Sequence, residues 1–461
     1  MPLLAAYMVP HPPLIIPDVG RGGERVIAET IRSYEEVGRQ IGELAPDTIL
    51  ISSPHATMYA DYFHLSPGGK ASGSFAQFGA PHVSFHEDYD TALVREIENL
   101  SDQEGFPAGT LAEREKRLDH GTMVPLYFIR KYLSKFQLVR IGLSGLPLAD
   151  HYHLGELIQK AIENTGRRVV YVASGDLSHK LQEKGPYGFA PEGPLYDEKI
   201  MDTASRAAFG ELFSFDEAFC NKAAECGHRS FVIMAGVLDG MEVEAKALSH
   251  QDVTGVGYGI CTFTPKGENR ERHFLETYLE KTKKEIVEKR LAEDAYVKLA
   301  RETIEAYILT RKRKALPEDL PEELTKERAG VFVSLHKMGS LRGCIGTILP
   351  TCSCIGEEIM TNAISAATRD PRFSAVEPSE LSQLEISVDV LSPPEKISST
   401  AELDVKRYGV IVTRGGRRGL LLPNLDGVDT VEEQVSIARQ KAGISPTEEV
   451  SLERFEVIRH F

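Results

Sequence analysis

Between residues 3 and 263 the chain alternates short, continuous apolar runs with longer stretches whose apolar positions recur at helical spacing. Residues 3–9, 48–52, 137–143 and 169–173 are runs of the first kind and read as buried strands. Residues 26–44, 154–163 and 231–238 are of the second kind and read as helices. Strand and helix in alternation predict an α/β unit with a mostly parallel sheet and flanking helices. Residues 254–264, with alternating character and three glycines, predict a closing strand.

The pattern then changes. Residues 266–290 are rich in charge and poor in branched apolar side chains, with Glu–Lys spacings that support a solvated helix. A second unit opens near Ala292, where Tyr296, Leu299, Ala300, Ile304 and Ile308 make one apolar face. Residues 331–335, 384–391 and 409–412 are strand-like and separated by turns containing Pro and Gly, so this unit reads as α+β. The expected plan is an α/β unit over 1–265, a charged linker helix over 266–291 and an α+β unit over 292–461. Neither half carries an evident internal repeat or low-complexity tract.

Composition narrows the class. The 461 residues are 42% hydrophobic and 26% charged, with 53 Lys and Arg against 68 Asp and Glu, a formal net charge of −15. Net acidity argues against nucleic acid as the main partner, because phosphate contacts call for a concentrated basic surface. No uncharged apolar run reaches the ~20 residues that span a bilayer, so no membrane insertion is expected. The first 13 residues lack a basic segment and are interrupted by Pro10, Pro12 and Pro13, unlike a secretory signal. Six cysteines in so long a chain do not make a disulfide framework and are read as free thiols of a cytoplasmic protein.

Four histidines stand at or beyond the ends of expected strands: His11, His55, His120 and His179. In open α/β sheets ligands bind where the loops after different strands converge. Two imidazoles and one carboxylate on one face of an iron leave positions open for substrate and O₂. Glu225 is the first candidate for the carboxylate, and Cys226 and His228 compete with it in the same turn. Asp176 either orients the His179 ring or caps a helix after its strand. His82 and His86, four apart, fall in an extended segment and are read as solvated.

These residues carry a resemblance. His11, Ser53-Pro54-His55, Leu118-Asp119-His120-Gly121, the run from Ser174 to His179 and the turn from Glu225 to Arg229 occur in the order found in the class III extradiol dioxygenase fold and its relative, the Memo family. The resemblance implies His11, His55 and Glu225 as metal ligands, His179 as general acid/base and His120 as a second imidazole facing substrate. It implies Fe(II), with copper or zinc if Cys226 faces the ion, and a phenolic or catecholic small-molecule substrate. Memo proteins present a Cys where the dioxygenases have the Glu, so Glu225 and Cys226 point to different metals.

In the second half, Leu341-Arg342-Gly343-Cys344-Ile345-Gly346, Arg369-Asp370-Pro371-Arg372-Phe373 and residues 419–423 resemble the AMMECR1 domain over 292–461. Arg342 is a candidate to activate Cys344 as a nucleophile or to form an anion site. A buried, inert Cys344 beside an ion-pair cluster of Arg369, Asp370 and Arg372 is the alternative. A Memo-like half followed by an AMMECR1-like half resembles protein A of the AmmeMemoRadiSam system, which implies a radical S-adenosylmethionine partner. This chain has no Cys-x3-Cys-x2-Cys run to hold an iron–sulfur cluster, so radical initiation is expected from another chain.

Overall fold

The computed structural model describes residues 2–113, 115–337, 339–425 and 427–461, and divides into units 1–278 and 279–461. In the first unit the expected apolar runs form strands β1 (Leu3–Val9), β2 (Thr48–Ser53), β3 (Gln137–Gly142) and β4 (Val169–Ser174). Every residue of β2 and β4 is buried, which is why these runs show no alternation. β5 (Met241–Gln251) and β6 (Tyr258–Glu268) complete one sheet in the order β3-β2-β4-β1-β6-β5.

The four central and edge strands expected from the sequence pair in parallel, with Leu50 beside Tyr171 and Val139, and Ala6 beside Tyr171. The closing strand β6 runs antiparallel to β1, through Tyr7 and Thr262, and its far edge pairs with β5. β5 is absent from the sequence reading because its outward residues Glu242, Glu244 and Lys246 dilute the apolar signal.

Helices α1 (Ala28–Leu44), α2 (His120–Ile129), α3 (Leu148–Thr165) and α4 (His228–Val237) cover the sheet. α1 buries Tyr34, Val37 and Ile41 on one stripe against β-strand residues such as Tyr7, Val9 and Val172. Each such side chain taken fully out of water contributes about 1.5–3 kcal/mol. His82 and His86 lie on the extended strand Ala80–Asp88, where His82 Nε2 is 2.6 Å from Asp18 Oδ1 at the surface.

α5 (Phe274–Ala292) takes the place of the charged linker, while residues 266–268 finish β6. In the second unit α6 (Ala295–Thr310) starts at Asp294, whose carboxylate accepts from the Tyr296 and Val297 amides. Strands β7 (Gly330–Lys337), β8 (Ser340–Gly346) and β9 (Leu384–Leu391) precede β10 (Glu395–Ile397), β11 (Gly409–Arg414), β12 (Arg417–Leu421), β13 (Ser451–Phe455) and β14 (Val457–His460). They form two sheets, β8-β7-β9-β14 and β10-β13-β11-β12. α6 and α7 (Ile355–Thr368) pack on the first sheet, and α8 (Val431–Lys441) packs on the second. The unit is α+β, and no helix among the described residues is long and apolar enough to cross a membrane.

Candidate metal centre

β2, β4 and β1 are neighbours in the first sheet, so the loops leaving their carboxyl ends open onto one place. β1 delivers His11, buried, with its backbone N–H donating to Asp176 Oδ1 at 2.7 Å. β2 delivers His55, whose N–H is 3.2 Å from Ser53 Oγ. The turn before α4 delivers Cys226. His11 Nε2 stands 3.0 Å from His55 Nε2 and 3.6 Å from Cys226 Sγ. One donor atom from each of the three lies within 4.8 Å of the others, the only such group of metal-binding side chains among the described residues.

The surroundings keep the imidazoles ready to bind. His11 Nδ1 is 3.0 Å from Ser174 Oγ, and that hydroxyl donates to Gly121 O at 2.6 Å. With its hydrogen committed to Gly121, Ser174 can only accept from Nδ1–H, and the lone pair of His11 therefore sits on Nε2. Burial lowers the His11 pKa. His55 is the most exposed of the three, yet desolvation and then the neighbouring imidazoles His11 and His120 lower it to about 3. Both imidazoles are neutral near pH 7, as ligating histidines must be.

His120 opens α2 behind the N-cap Asp119, and its ring centroid is 4.0 Å from that of His55. Burial opposes the charge on Asp119, but Arg140 and hydrogen bonds from Ser53 and Thr122 outweigh it and hold the carboxyl low. His179 Nε2 is 3.8 Å from Asp176 Oδ2. No helix follows β4 at Asp176. Its carboxylate instead spans the His11 amide and the His179 ring, which corrects the helix-cap reading.

Glu225 is not in the donor group. It is half-buried, with Oε2 accepting from the His228 N–H at 2.6 Å, where it satisfies an open amide at the start of α4. His228 is also turned away, its Nε2 3.1 Å from Leu212 O. Cys226 is therefore the one of the three that faces the two imidazoles. Its sulfur also accepts from the Asp176 N–H at 3.3 Å. Burial pushes the Cys226 thiol up, so metal binding there must displace a proton.

Ser174, Asp119, Phe78 and Tyr187 escaped the sequence reading as site residues. Phe78 meets His120 edge-on at 5.4 Å, and Tyr187 lies 5.0 Å from His179. Ser174 and Asp119 carried a signal, as the last residue of a buried strand entering the Ser-Gly-Asp run and as the residue before His120 in its motif.

In the second unit Arg342 does not serve Cys344. β8 bulges at Arg342, leaving it without a partner residue on β7, and its guanidinium grips Glu380 at 3.0 and 2.9 Å. Asp370 and Arg372 stand beside Cys344 instead: Asp370 Oδ2 accepts from the Cys344 N–H at 2.9 Å and from Arg372 Nη2 at 2.7 Å.

Residues 5–261 match the family described as the catalytic LigB subunit of aromatic ring-opening dioxygenase. The chain belongs to this family. Residues 297–460 match AMMECR1. A protein of Clostridium acetobutylicum is 42% identical over 100% of this chain and 99% of its own length, so it shares both units. A Thermotoga maritima protein is 55% identical over 37% of this chain and 99% of its own. The crystal structure of an uncharacterized protein from Pyrococcus horikoshii is 36% identical, covering 36% of this chain and 88% of that one, with a TM-score of 0.34. Members of the LigB family typically bind a metal, in keeping with the donor group at His11, His55 and Cys226.

Proposed function

We propose that the first unit is a metal-dependent oxidoreductase of phenolic or catecholic small molecules, with its metal held by His11, His55 and Cys226. The observation that carries this reading is the convergence of these three donor atoms within 4.8 Å. Ligand atoms roughly 2.1–2.3 Å from one tetrahedral ion lie about 3.4–3.6 Å apart, and the His11 Nε2–Cys226 Sγ separation is 3.6 Å. Two imidazoles and a thiolate are a softer set than two imidazoles and a carboxylate. They favour copper, then zinc, over the Fe(II) that a Glu225 ligand would have suited.

When bound, the ion would polarise a substrate oxygen as a Lewis acid. The protein's own groups do the rest. His179, steadied by Asp176, takes a phenolic proton and returns it. His120 faces the substrate across the His55 ring. Phe78 beside His120 and Tyr187 beside His179 offer aromatic surface to a ring substrate. The fusion to an AMMECR1 unit further supports a place in an AmmeMemoRadiSam-type system, with a radical S-adenosylmethionine protein as partner.

The test is elemental analysis of protein purified without added metal, beside a His11→Ala/His55→Ala variant, followed by oxygen uptake with a panel of catechols. Stoichiometric metal in the parent, lost in the variant, supports the centre. Uptake by the copper- or iron-loaded parent supports turnover. A parent that neither carries nor retains metal removes the proposal, and a loaded but inert one leaves a metal-binding scaffold.

A further inference from the structure

Apart from the metal centre, the second unit holds a cavity of about 1030 Å³. That is the size of a site for a small organic ligand. Its wall is largely apolar, built from Phe332, Leu384, Ile386, Leu420, Leu422 and Phe461. Charged side chains also reach it, and most have a counter-charge. Arg301 is bound by Glu293, Lys289 by Glu385 and Arg459 by Asp389.

Two cations differ. Lys441, the last residue of α8, lines the cavity with no acidic group in ion-pair reach among the described residues. Arg372 binds Asp370 through Nε at 3.0 Å and Nη2 at 2.7 Å, which leaves Nη1 without a partner among the described residues. Lys441, Arg372 and Cys344 line the same cavity, so both cations share it with one thiol. Cys344 is fixed there. Its N–H is held by the same Asp370 carboxylate that holds Arg372, and its sulfur accepts from Ser334 Oγ at 3.3 Å across the β7–β8 pair.

We infer that this cavity binds an apolar small molecule ending in a carboxylate, with the anionic group at Lys441 and Arg372 beside Cys344 and the apolar body against Phe332 and Ile386. Lys441 and Arg372 line the cavity and are also exposed, so a carboxylate can meet the two cations at the solvent-reached edge while its apolar body leaves water against the wall. Partial desolvation against the cavity wall lowers the Lys441 pKa. Burial also raises the Cys344 thiol, so the sulfur is a contact and reporter of the site rather than an activated nucleophile.

Alkylation of the full-length protein tests this, with Cys344 followed by peptide mass spectrometry and half-buried Cys352 as the internal reference. Iodoacetate carries a carboxylate and iodoacetamide does not. At Cys344 the iodoacetate-to-iodoacetamide rate ratio should exceed that at Cys352 several-fold. Lys441→Met should bring the two ratios together, and Lys441→Arg should restore the difference. Decanoate should protect Cys344 where decanol does not. Equal ratios at both cysteines in the parent, equal protection by decanol, or a Cys344 that reacts only after unfolding would each overturn the assignment.

Discussion

The sulfur of Cys226 lies 3.6 Å from Nε2 of His11, a residue 215 positions earlier in the chain. The same nitrogen is 3.0 Å from the His55 ring, so a thiol rather than a carboxylate completes the group. Glu225, one residue away, has its carboxylate on the first amide of α4. Adjacent residues in one turn thus divide two tasks, and substitutions at each should separate them.

Cys226→Ser should lose most of the bound metal with little change in thermal stability. Glu225→Gln should keep the metal and lose less than the ~0.5–2 kcal/mol of a deleted cap, because its amide oxygen still accepts from the His228 N–H. Elemental analysis and thermal melts of both variants check this. A Glu225→Gln protein stripped of metal as fully as Cys226→Ser would return the ligand role to the carboxylate.

Ser174→Ala should weaken metal binding by roughly 10–100-fold, the common effect of removing a partner that orients a ligating imidazole. Without the hydroxyl, nothing commits the His11 hydrogen to Nδ1. Ser174→Thr, which keeps the acceptor, should bind nearly as the parent does. Competition titration against a chelator gives the affinities. Parental affinity in Ser174→Ala would mean that the ring needs no such partner.

Much of this was legible in the sequence. Four buried strands announced themselves because a parallel strand covered on both faces cannot alternate, and β9 was found at its full length. The convergence of His11 and His55 followed from their positions after strands. What failed was local direction. Glu225, Cys226 and His228 share one turn, and spacing does not say which side chain turns inward when backbone amides compete for the carboxylate. Arg342 failed for a similar reason: it lies two residues from Cys344, normally the same face of a strand, but the bulge reverses that alternation. Lys441 gave no signal, because its place depends on how α8 meets the second sheet.

Acid should destabilise the two units over different ranges. In the first, burial lowers His151 to about 3, and His64 is lowered to about 4 by burial and then Arg140. An unfolded histidine titrates near ~6.5, so below that pH the unfolded chain takes up protons the folded one refuses. Stability is full above about 6.5 and falls at up to ~1.4 kcal/mol per pH unit for each such group as acid is added. In the second unit burial opposes the Glu380 charge, but bonds from Arg342, the Glu377 amide and Lys337 hold it at about 2. Its contribution is present above about 4.3 and is lost as pH falls toward about 2. Melting temperatures across pH 2–8 should show His151→Asn flattening the upper part of the slope and Glu380→Gln the lower. Parallel curves for parent and both variants would contradict the assignment.

The Cys226 turn reaches the imidazoles only because two glycines let backbones meet. A Cβ built on Gly175 would lie 2.1 Å from Gly227 Cα, a contact no rotamer change relieves. Here the Cys226 N–H is 3.4 Å from Asp176 O and the sulfur 3.3 Å from the Asp176 amide, so displacing Gly227 pulls on both. Gly175→Ala should therefore lose metal and cost on the order of 1–3 kcal/mol, the penalty of forcing backbone apart in a packed interior. Gly166→Ala is the control. Gly166 ends α3 at φ 64° with open space around its Cα, so alanine there costs about 1 kcal/mol from the left-handed backbone alone and leaves the centre intact. If Gly175→Ala bound metal as the parent does while Gly166→Ala did not, the close approach at Gly175 would have no part in placing Cys226.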